Sequence, residues 1–293
     1  MIDIVFVVLH YLTIDDTIEC VNSIKEKCKK GNFRIVIVDN ASPNNSKNEL
    51  KEVYENDTDI HLVLLSENLG FANGNNKGIE FARKKYSPRF IVVMNNDVNL
   101  LQENTIELIE DEYKRSRFGV LGPMVYTADG RCNDNPGPDA PMTLKELDSM
   151  IHSAKKYYLM CKLNLRYVYA LIEKIKYKII EKKEDRYSYC DYLNTKYNVQ
   201  LHGCFLCFSE VYFKEFNGFY PGTFLYLEED ILFYLTQKAN IKTVYFPELK
   251  IYHKEDSSSK AAWKTNNERE KKKAKYVLQS AEAFREYLKE NTK

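Results

Sequence analysis

The chain has 293 residues, is 44% hydrophobic and carries a formal net charge of +1. It can bury a substantial core, and it has no global field to recruit a polyanion, so nucleic acid is not an expected partner. No apolar run is long enough to span a bilayer, and seven scattered cysteines without a disulfide framework suit a reducing compartment.

Met1-Ile2-Asp3 runs straight into the apolar stretch Ile4–Leu9, with no basic leader or small-residue cleavage site, so the expected location is cytoplasmic. Ile4–Leu9 itself reads as a strand buried on both faces. Thr13 and Asp15 can cap a helix with Ile18, Val21 and Cys28 on one side. Arg34–Val38 is a second strand, ending in Asp39-Asn40, and Ser46 to Tyr54 a helix. His61–Leu65 is a third strand, followed by a helix from Ala72 to Lys85. Phe90–Met94 is a fourth, ending in Asn95-Asn96-Asp97. A helix from Glu103 to Arg115 and a strand over Phe118–Tyr126 close the first part.

This alternation predicts an α/β fold with a mainly parallel central sheet flanked by helices. Ligands of such sheets sit at the carboxyl ends of the strands. The polar loops His10-Tyr11, Asp39-Asn40-Ala41-Ser42, Glu67-Asn68-Leu69-Gly70 and Asn95-Asn96-Asp97 all fall on that edge, which makes it the expected site.

The rhythm then breaks. Arg131 to Pro141 is a polar, Gly- and Pro-containing loop. Thr143 to about Glu184 reads as helical, with nine Lys/Arg against three Glu between Lys155 and Glu184. That basic amphipathic stretch is either a solvated face or a peripheral contact with the anionic inner face of a membrane. The pattern resumes with apolar Gly203–Phe208, a short helix over Ser209–Phe216 and the turn Asn217-Gly218-Phe219. A helix over Glu229–Ala239 and a strand over Lys242–Phe246 follow. A charged helix from Asn266 to Glu290 has Tyr276, Ala283 and Tyr287 among its packing residues. The expected organisation is one domain over 1–256 with a helical insert at about 142–197, and a helical tail over 257–293.

Transfer of a sugar from a nucleoside diphosphate would leave recognisable traces. The base and ribose must be held, the departing diphosphate neutralised, and the acceptor hydroxyl deprotonated. Asp39 can accept hydrogen bonds from a nucleobase or ribose, or cap the next helix. Asp97, with Asn95 and Asn96 beside it, offers oxygen to Mg2+ or Mn2+, or caps a turn. Glu228-Glu229-Asp230 opens a helix, where acids suit the macrodipole; three adjacent acids can also raise one pKa towards general-base work. Gly70, Gly74 and Gly78 form a bare face for a ligand or for tight helix–sheet packing. His253 can complete a metal shell or be structural. Cys204-Phe205-Leu206-Cys207 is a lone CxxC in an apolar stretch and reads as buried thiols. No GxGxxG follows a strand and no P-loop occurs.

Together these segments resemble the inverting family 2 glycosyltransferases of the GT-A fold, especially a bacterial rhamnosyltransferase-like branch. The likeness covers Ile2–Tyr126 and Gln200–Asp256. Val38-Asp39-Asn40-Ala41-Ser42 resembles the nucleotide-binding segment, and Asn68-Leu69-Gly70-Phe71-Ala72 with Gly74 and Asn75 resembles the glycine loop. Asn95-Asn96-Asp97 is similar to a variant of the DxD metal motif, with Asn95 where an aspartate is usual. Gly203-Cys204-Phe205 and Asn217-Gly218-Phe219 look like the acceptor-side strand and turn. Phe224-Leu225-Tyr226-Leu227-Glu228-Glu229-Asp230 is similar to the segment that supplies the base. The acidic triplet leaves both Glu229 and Asp230 as readings of that base, and counting from Tyr226 favours Glu229. The resemblance implies donor contacts from His10, Tyr11, Asp39, Asn68, Gly70, Phe71, Asn75, Asn95 and Asn96. It implies a Mn2+ or Mg2+ site at Asp97 and His253. The implied donor is dTDP-rhamnose or a UDP-hexose, and the implied acceptor a glycan or lipid-linked glycan of a bacterial surface polysaccharide. A nucleotidyltransferase would want a basic phosphate-gripping loop after the first strand, where Leu9-His10-Tyr11-Leu12-Thr13 stands. A non-catalytic sugar-binding module would have no use for the acid cluster.

Overall fold

A computed structural model describes residues 2–29, 31–130, 132, 135–166, 192–255, 262 and 265–291. Strand β1 (Ile4–His10) lies mid-sheet between two parallel neighbours, β2 (Phe33–Asp39) and β4 (Phe90–Asn95). Ile4, Phe6 and Val8 enter one core and Val5 and Val7 the other, all without exposed surface. Burial on both faces is why the strand reads as an uninterrupted apolar run. Beyond β2 lies β3 (Ile60–Leu64), also parallel. The chain therefore builds outwards from β1 on one side and then returns to place β4 on the other. That reversal opens a crevice at the carboxyl ends of β1 and β4.

Helices α1 (Ile14–Lys27) and α2 (Ser46–Tyr54) cover one face through Cys20, Val21, Ile24 and Leu50. Helix α3 (Gly70–Tyr86) covers the other through Ala72, Ile79 and Ala82. A Cβ at Gly78 would collide with Val7, and one at Gly74 would stand 2.8 Å from Leu9 Cδ1. At these two positions the bare face serves helix–sheet packing, so α3 rides close on β1.

After β4 come β5 (Val98–Leu100), α4 (Thr105–Ser116), β6 (Val120–Thr127) and α5 (Leu144–Lys162). The remaining elements are β7 (Lys196–Tyr197), β8 (Phe205–Ser209), α6 (Glu210–Phe213), α7 (Glu228–Lys238), β9 (Thr243–His253) and α8 (Asn266–Asn291). Among the described residues the sheet has nine strands in the order β3-β2-β1-β4-β8-β6-β9-β5, with β7 paired to β9. Strands β3, β2, β1, β4, β6 and β9 run one way, and β8, β5 and β7 run against them. The mainly parallel sheet expected from the sequence is present, with β8 as an antiparallel wedge.

Three strands differ from expectation, β7 among them, since Lys196–Tyr197 falls within the expected helical insert yet pairs with β9. β5 is only three residues and was not foreseen. β9 does not stop at Phe246 but runs through Pro247 to His253, with its register against β6 shifting between Pro123 and Met124. Such an irregularity lets a strand carry a proline.

Helix α5 starts with a capping box in which Thr143 Oγ1 accepts from the Glu146 N–H and Glu146 accepts from the Thr143 N–H. The last part of the expected helical run, 167–184, with the greater part of its basic stretch, lies outside the described residues. Helix α8 packs along α5 and α7 through Ala281, Phe284 and Leu288 against Leu147, Ile151, Ile231 and Leu235. Its buried residues Ala274, Ala281 and Leu288 repeat every seven positions. Ala283, Tyr276 and Tyr287 flank that seam and are only partly buried.

Candidate active site

The crevice is a cleft of about 560 Å3 at the carboxyl edge, and amide side chains shape one of its walls. Asn40 follows β2 and bridges to the start of α3, donating from Nδ2 to Gly70 O at 3.0 Å and accepting from the Leu69 N–H at 2.9 Å. Asn68 Oδ1 accepts from the Gly70 N–H at 2.9 Å. Gly70 has φ of +79°, and a Cβ there would collide with the Phe224 carbonyl. Only glycine takes this turn while the next amide, Phe71 N–H, donates to Phe224 O at 2.7 Å. Tyr11, Asn40, Asn68, Gly70 and Phe71 all line the cleft.

Three expected donor contacts stand behind this wall. His10 has no exposed surface, with Nδ1 2.7 Å from Thr17 Oγ1 and Nε2 2.8 Å from Ser46 Oγ. Burial pushes its imidazole down to about 4, so it is neutral near pH 7 and pins the starts of α1 and α2 beneath the loops. Asp39 is equally buried. Its Oδ1 accepts from the Ser42 N–H at 3.2 Å, while Oδ2 has no hydrogen-bond partner. Asn75 lies inside α3 and donates to Phe71 O at 3.0 Å.

The opposite wall gathers the expected metal ligands. The antiparallel pairing of β5 with β9 sets Val98 opposite His253, which carries Asp97 to the end of β9. Asp97 Oδ1 then lies 3.2 Å from His253 Nε2, both residues being more than nine-tenths buried. His253 Nδ1 is buried without a hydrogen-bond partner. Asn96 Nδ2 donates to Thr13 and Thr17, fixing the loop to α1. The Asn95 N–H donates to Cys204 O at 2.9 Å, which ties β4 to the lead-in of β8. Asn95, Asn96, Asp97 and His253 line the cleft.

The acids come next to the cleft without lining it. Tyr226 and Leu227 take φ of 75° and 65°, a conformation uncommon for bulky residues, and this reversal starts α7 at Glu228. Tyr226 lines the cleft. Glu228 is 8% exposed, and its Oε1 has no partner. Burial, reinforced by the charge of Glu229, raises Glu228 to about 7 and Asp230 to about 6. Glu229 is half-buried and accepts a hydrogen bond from the Gly203 N–H, beside His202, which does line the cleft.

His202 and Tyr276 line the cleft without having been expected there, whereas Phe224 and Tyr226 belong to the segment read as supplying the base. His202 was hidden in a stretch read for its thiols. Phe224 stacks with Tyr276 of α8 at 4.8 Å between centroids and 31° between planes. Lys273 Nζ stands 5.9 Å from the Tyr226 ring centroid. A larger groove of about 1150 Å3 lies between α3 and the segment 213–221; it is lined by Asn217, Gly218 and Phe219 of the expected acceptor-side turn and by none of the expected donor, metal or base residues.

Comparison with known proteins bears on the family and the fold. Over 141 residues the chain is 24% identical to the low-salt glycan biosynthesis hexosyltransferase Agl10 of Haloferax volcanii, covering 48% of this chain. It spans 42% of that relative, under half its length. S. aureus TarS 1–349 superposes with a TM-score of 0.53 at 14% identity, over 88% of this chain and 62% of that one. GalNAc-T7 with UDP, GalNAc and Mn2+ gives a TM-score of 0.56 at 12% identity, over 86% of this chain and 44% of that one. At such identities the likeness speaks for the fold, which is GT-A. Residues 6–170, more than half of the chain, match the family description Glycosyl transferase family 2, and the chain belongs to that family.

Proposed function

We propose that the chain transfers a sugar from a nucleoside-diphosphate donor to a hydroxyl of a glycan or lipid-linked acceptor, with inversion. The observation that carries this reading is the Asp97–His253 pair facing the Asn68–Phe71 loop across one cleft at the strand-order reversal. Among similar structures, TarS has been crystallised with UDP and GalNAc-T7 with UDP and Mn2+, which favours a uridine donor. dTDP-rhamnose is the other donor kept in view.

In this reading the nucleotide lies along Tyr11, Asn40 and the Asn68–Phe71 loop. Asp39, buried with one oxygen unsatisfied, supports that loop from behind. Mn2+ or Mg2+ fits at Asp97 and His253. A carboxylate oxygen of Asp97 and the Nε2 of His253 meet there, 3.2 Å apart at the cleft wall. When bound, the cation supplies positive charge where the diphosphate departs. Glu229 is the base. The Gly203 N–H holds one of its oxygens, and the other takes the acceptor's proton. Glu228 is too buried for that task, and Asp230 is the alternate. Phe224, Tyr226 and Tyr276 give the acceptor sugar aromatic faces to rest on. Peripheral contact with a membrane carrying the acceptor belongs to the same proposal. Leu159 on α5 and Leu163 at its C-cap are exposed close to Lys162, and no described helix is long and apolar enough to cross a membrane.

A screen of UDP-, dTDP- and GDP-sugars with Mn2+ or Mg2+ and glycan acceptors tests the reading. Transfer is expected from one donor class. Glu229→Ala is expected to lose ~10^2–10^4-fold in kcat with the fold intact. Donor binding without turnover for any acceptor would favour a non-catalytic binding module instead.

A further inference from the structure

Beside the Asp97–His253 pair stands a second donor set that is not suited to Mg2+ or Mn2+. His202, Cys204 and His253 each offer one ligand atom, and these atoms lie within 4.8 Å of one another. Cys204 is 1% and His253 8% exposed, while His202 is half-buried at the cleft. His202 and Cys204 are two apart where the chain enters β8. His253 ends β9, its ring centroid 5.8 Å from that of His202.

The hydrogen bonds decide which atoms are available. His202 Nδ1 accepts from the Cys204 N–H at 3.2 Å, which leaves Nε2 to ligate. His253 Nε2 is engaged by Asp97 Oδ1, which leaves the buried, unpartnered Nδ1. A carboxylate on one ring nitrogen with the other turned to a metal is the usual second-shell support of a histidine ligand. Two imidazoles and a thiolate select borderline-soft cations over hard, oxygen-seeking ones. Three protein ligands also leave a tetrahedral ion one open position.

We propose that His202, Cys204 and His253 form a zinc-class site at the rim of the donor cleft, binding Zn2+ or Co2+ with its fourth position open. On binding, the Cys204 thiol gives its proton to solvent and the thiolate becomes the ligand. The site stands on its own geometry. One consequence rests on the proposed function: His253 belongs to both sets, and a neutral imidazole has one nitrogen lone pair to give, so zinc on Nδ1 and the catalytic Mn2+ or Mg2+ on Nε2 exclude each other, and Zn2+ inhibits transfer.

The test is a Co2+ titration of the metal-stripped full chain, read by absorbance. The expected result is a thiolate-to-cobalt charge-transfer band rising to one equivalent, with tetrahedral visible bands, both abolished by Zn2+. Cys204→Ser removes the charge-transfer band, whereas Cys132→Ser and Cys190→Ser keep it. His202→Ala, altered at the half-buried rim, weakens Co2+ binding by about tenfold or more, the loss expected even for a supporting residue. It carries the test if Cys204→Ser does not fold. A wild-type protein with no charge-transfer band, or a band that survives Cys204→Ser, overturns the site. These readouts need no turnover, so failure of the glycosyltransferase reading would leave them unchanged.

Discussion

Replacing Glu228 by glutamine removes a carboxyl that the fold holds out of water while keeping its shape. Burial, then the charge of Glu229, raises this group from 4.5 to about 7. Below pH 4.5 both the folded and the unfolded chain carry the proton. Between 4.5 and 7 the native state holds it and the unfolded state does not, so stability falls as pH rises, and the loss is complete above 7. At about 1.4 kcal/mol per pH unit, this gap corresponds to about 3 kcal/mol. Asp230, raised from 3.8 to about 6, adds a slope of the same sign, but it remains in both proteins and largely cancels in their difference. Urea unfolding of wild type and Glu228→Gln at pH 5, 6, 7 and 8 reads the effect. The variant is expected to gain about 2.5 kcal/mol on wild type between pH 5 and 8, the first part of the loss having occurred below pH 5. Parallel stability profiles would refute the reasoning, because they would mean that Glu228 ionises as readily in the fold as in the unfolded chain.

Gly78→Ala drives a methyl into Val7 and Val38 and should cost about 1–3 kcal/mol, seen as a lowered urea midpoint with unchanged slope. Thr143→Ala removes the capping box of α5 and should cost about 1 kcal/mol in the same assay. Tyr276→Ala removes the ring stacked on Phe224 and should weaken substrate binding by about 2–10-fold, mainly in KM, on the ~0.5–1.5 kcal/mol scale of aromatic pairs.

The sheet's first half was legible because β1, β2 and β4 are uninterrupted apolar runs ending in polar residues, a pattern that a twice-buried parallel strand requires. Three residues of β5 are too few for any periodicity, and Pro247 hid the continuation of β9. The wall opposite the glycine loop was legible through Asp97 and His253, which come together only because β5 pairs with β9. Sequence could place His10, Asp39 and Asn75 at or near the edge but could not show which way they turn. Thr17, Ser46 and Phe71 claim the hydrogen bonds of His10 and Asn75, and Asp39 is sealed beneath its loop. Gly74 and Gly78 showed the same ambiguity, settled by the closeness of Val7 and Leu9. The role of α8 in the cleft had no local signal. Its register is fixed by packing on α5 and α7, and only that packing brings Tyr276 to Phe224.

The central claim is that Asp97 and His253 load a cation that helps hold a nucleoside diphosphate in this cleft. Calorimetric titration of UDP into wild type and Asp97→Ala, each with and without Mn2+, tests it most directly. Mn2+ should tighten UDP binding to wild type and leave Asp97→Ala unaffected. Equal tightening in both proteins, or UDP binding indifferent to Mn2+, would contradict the account.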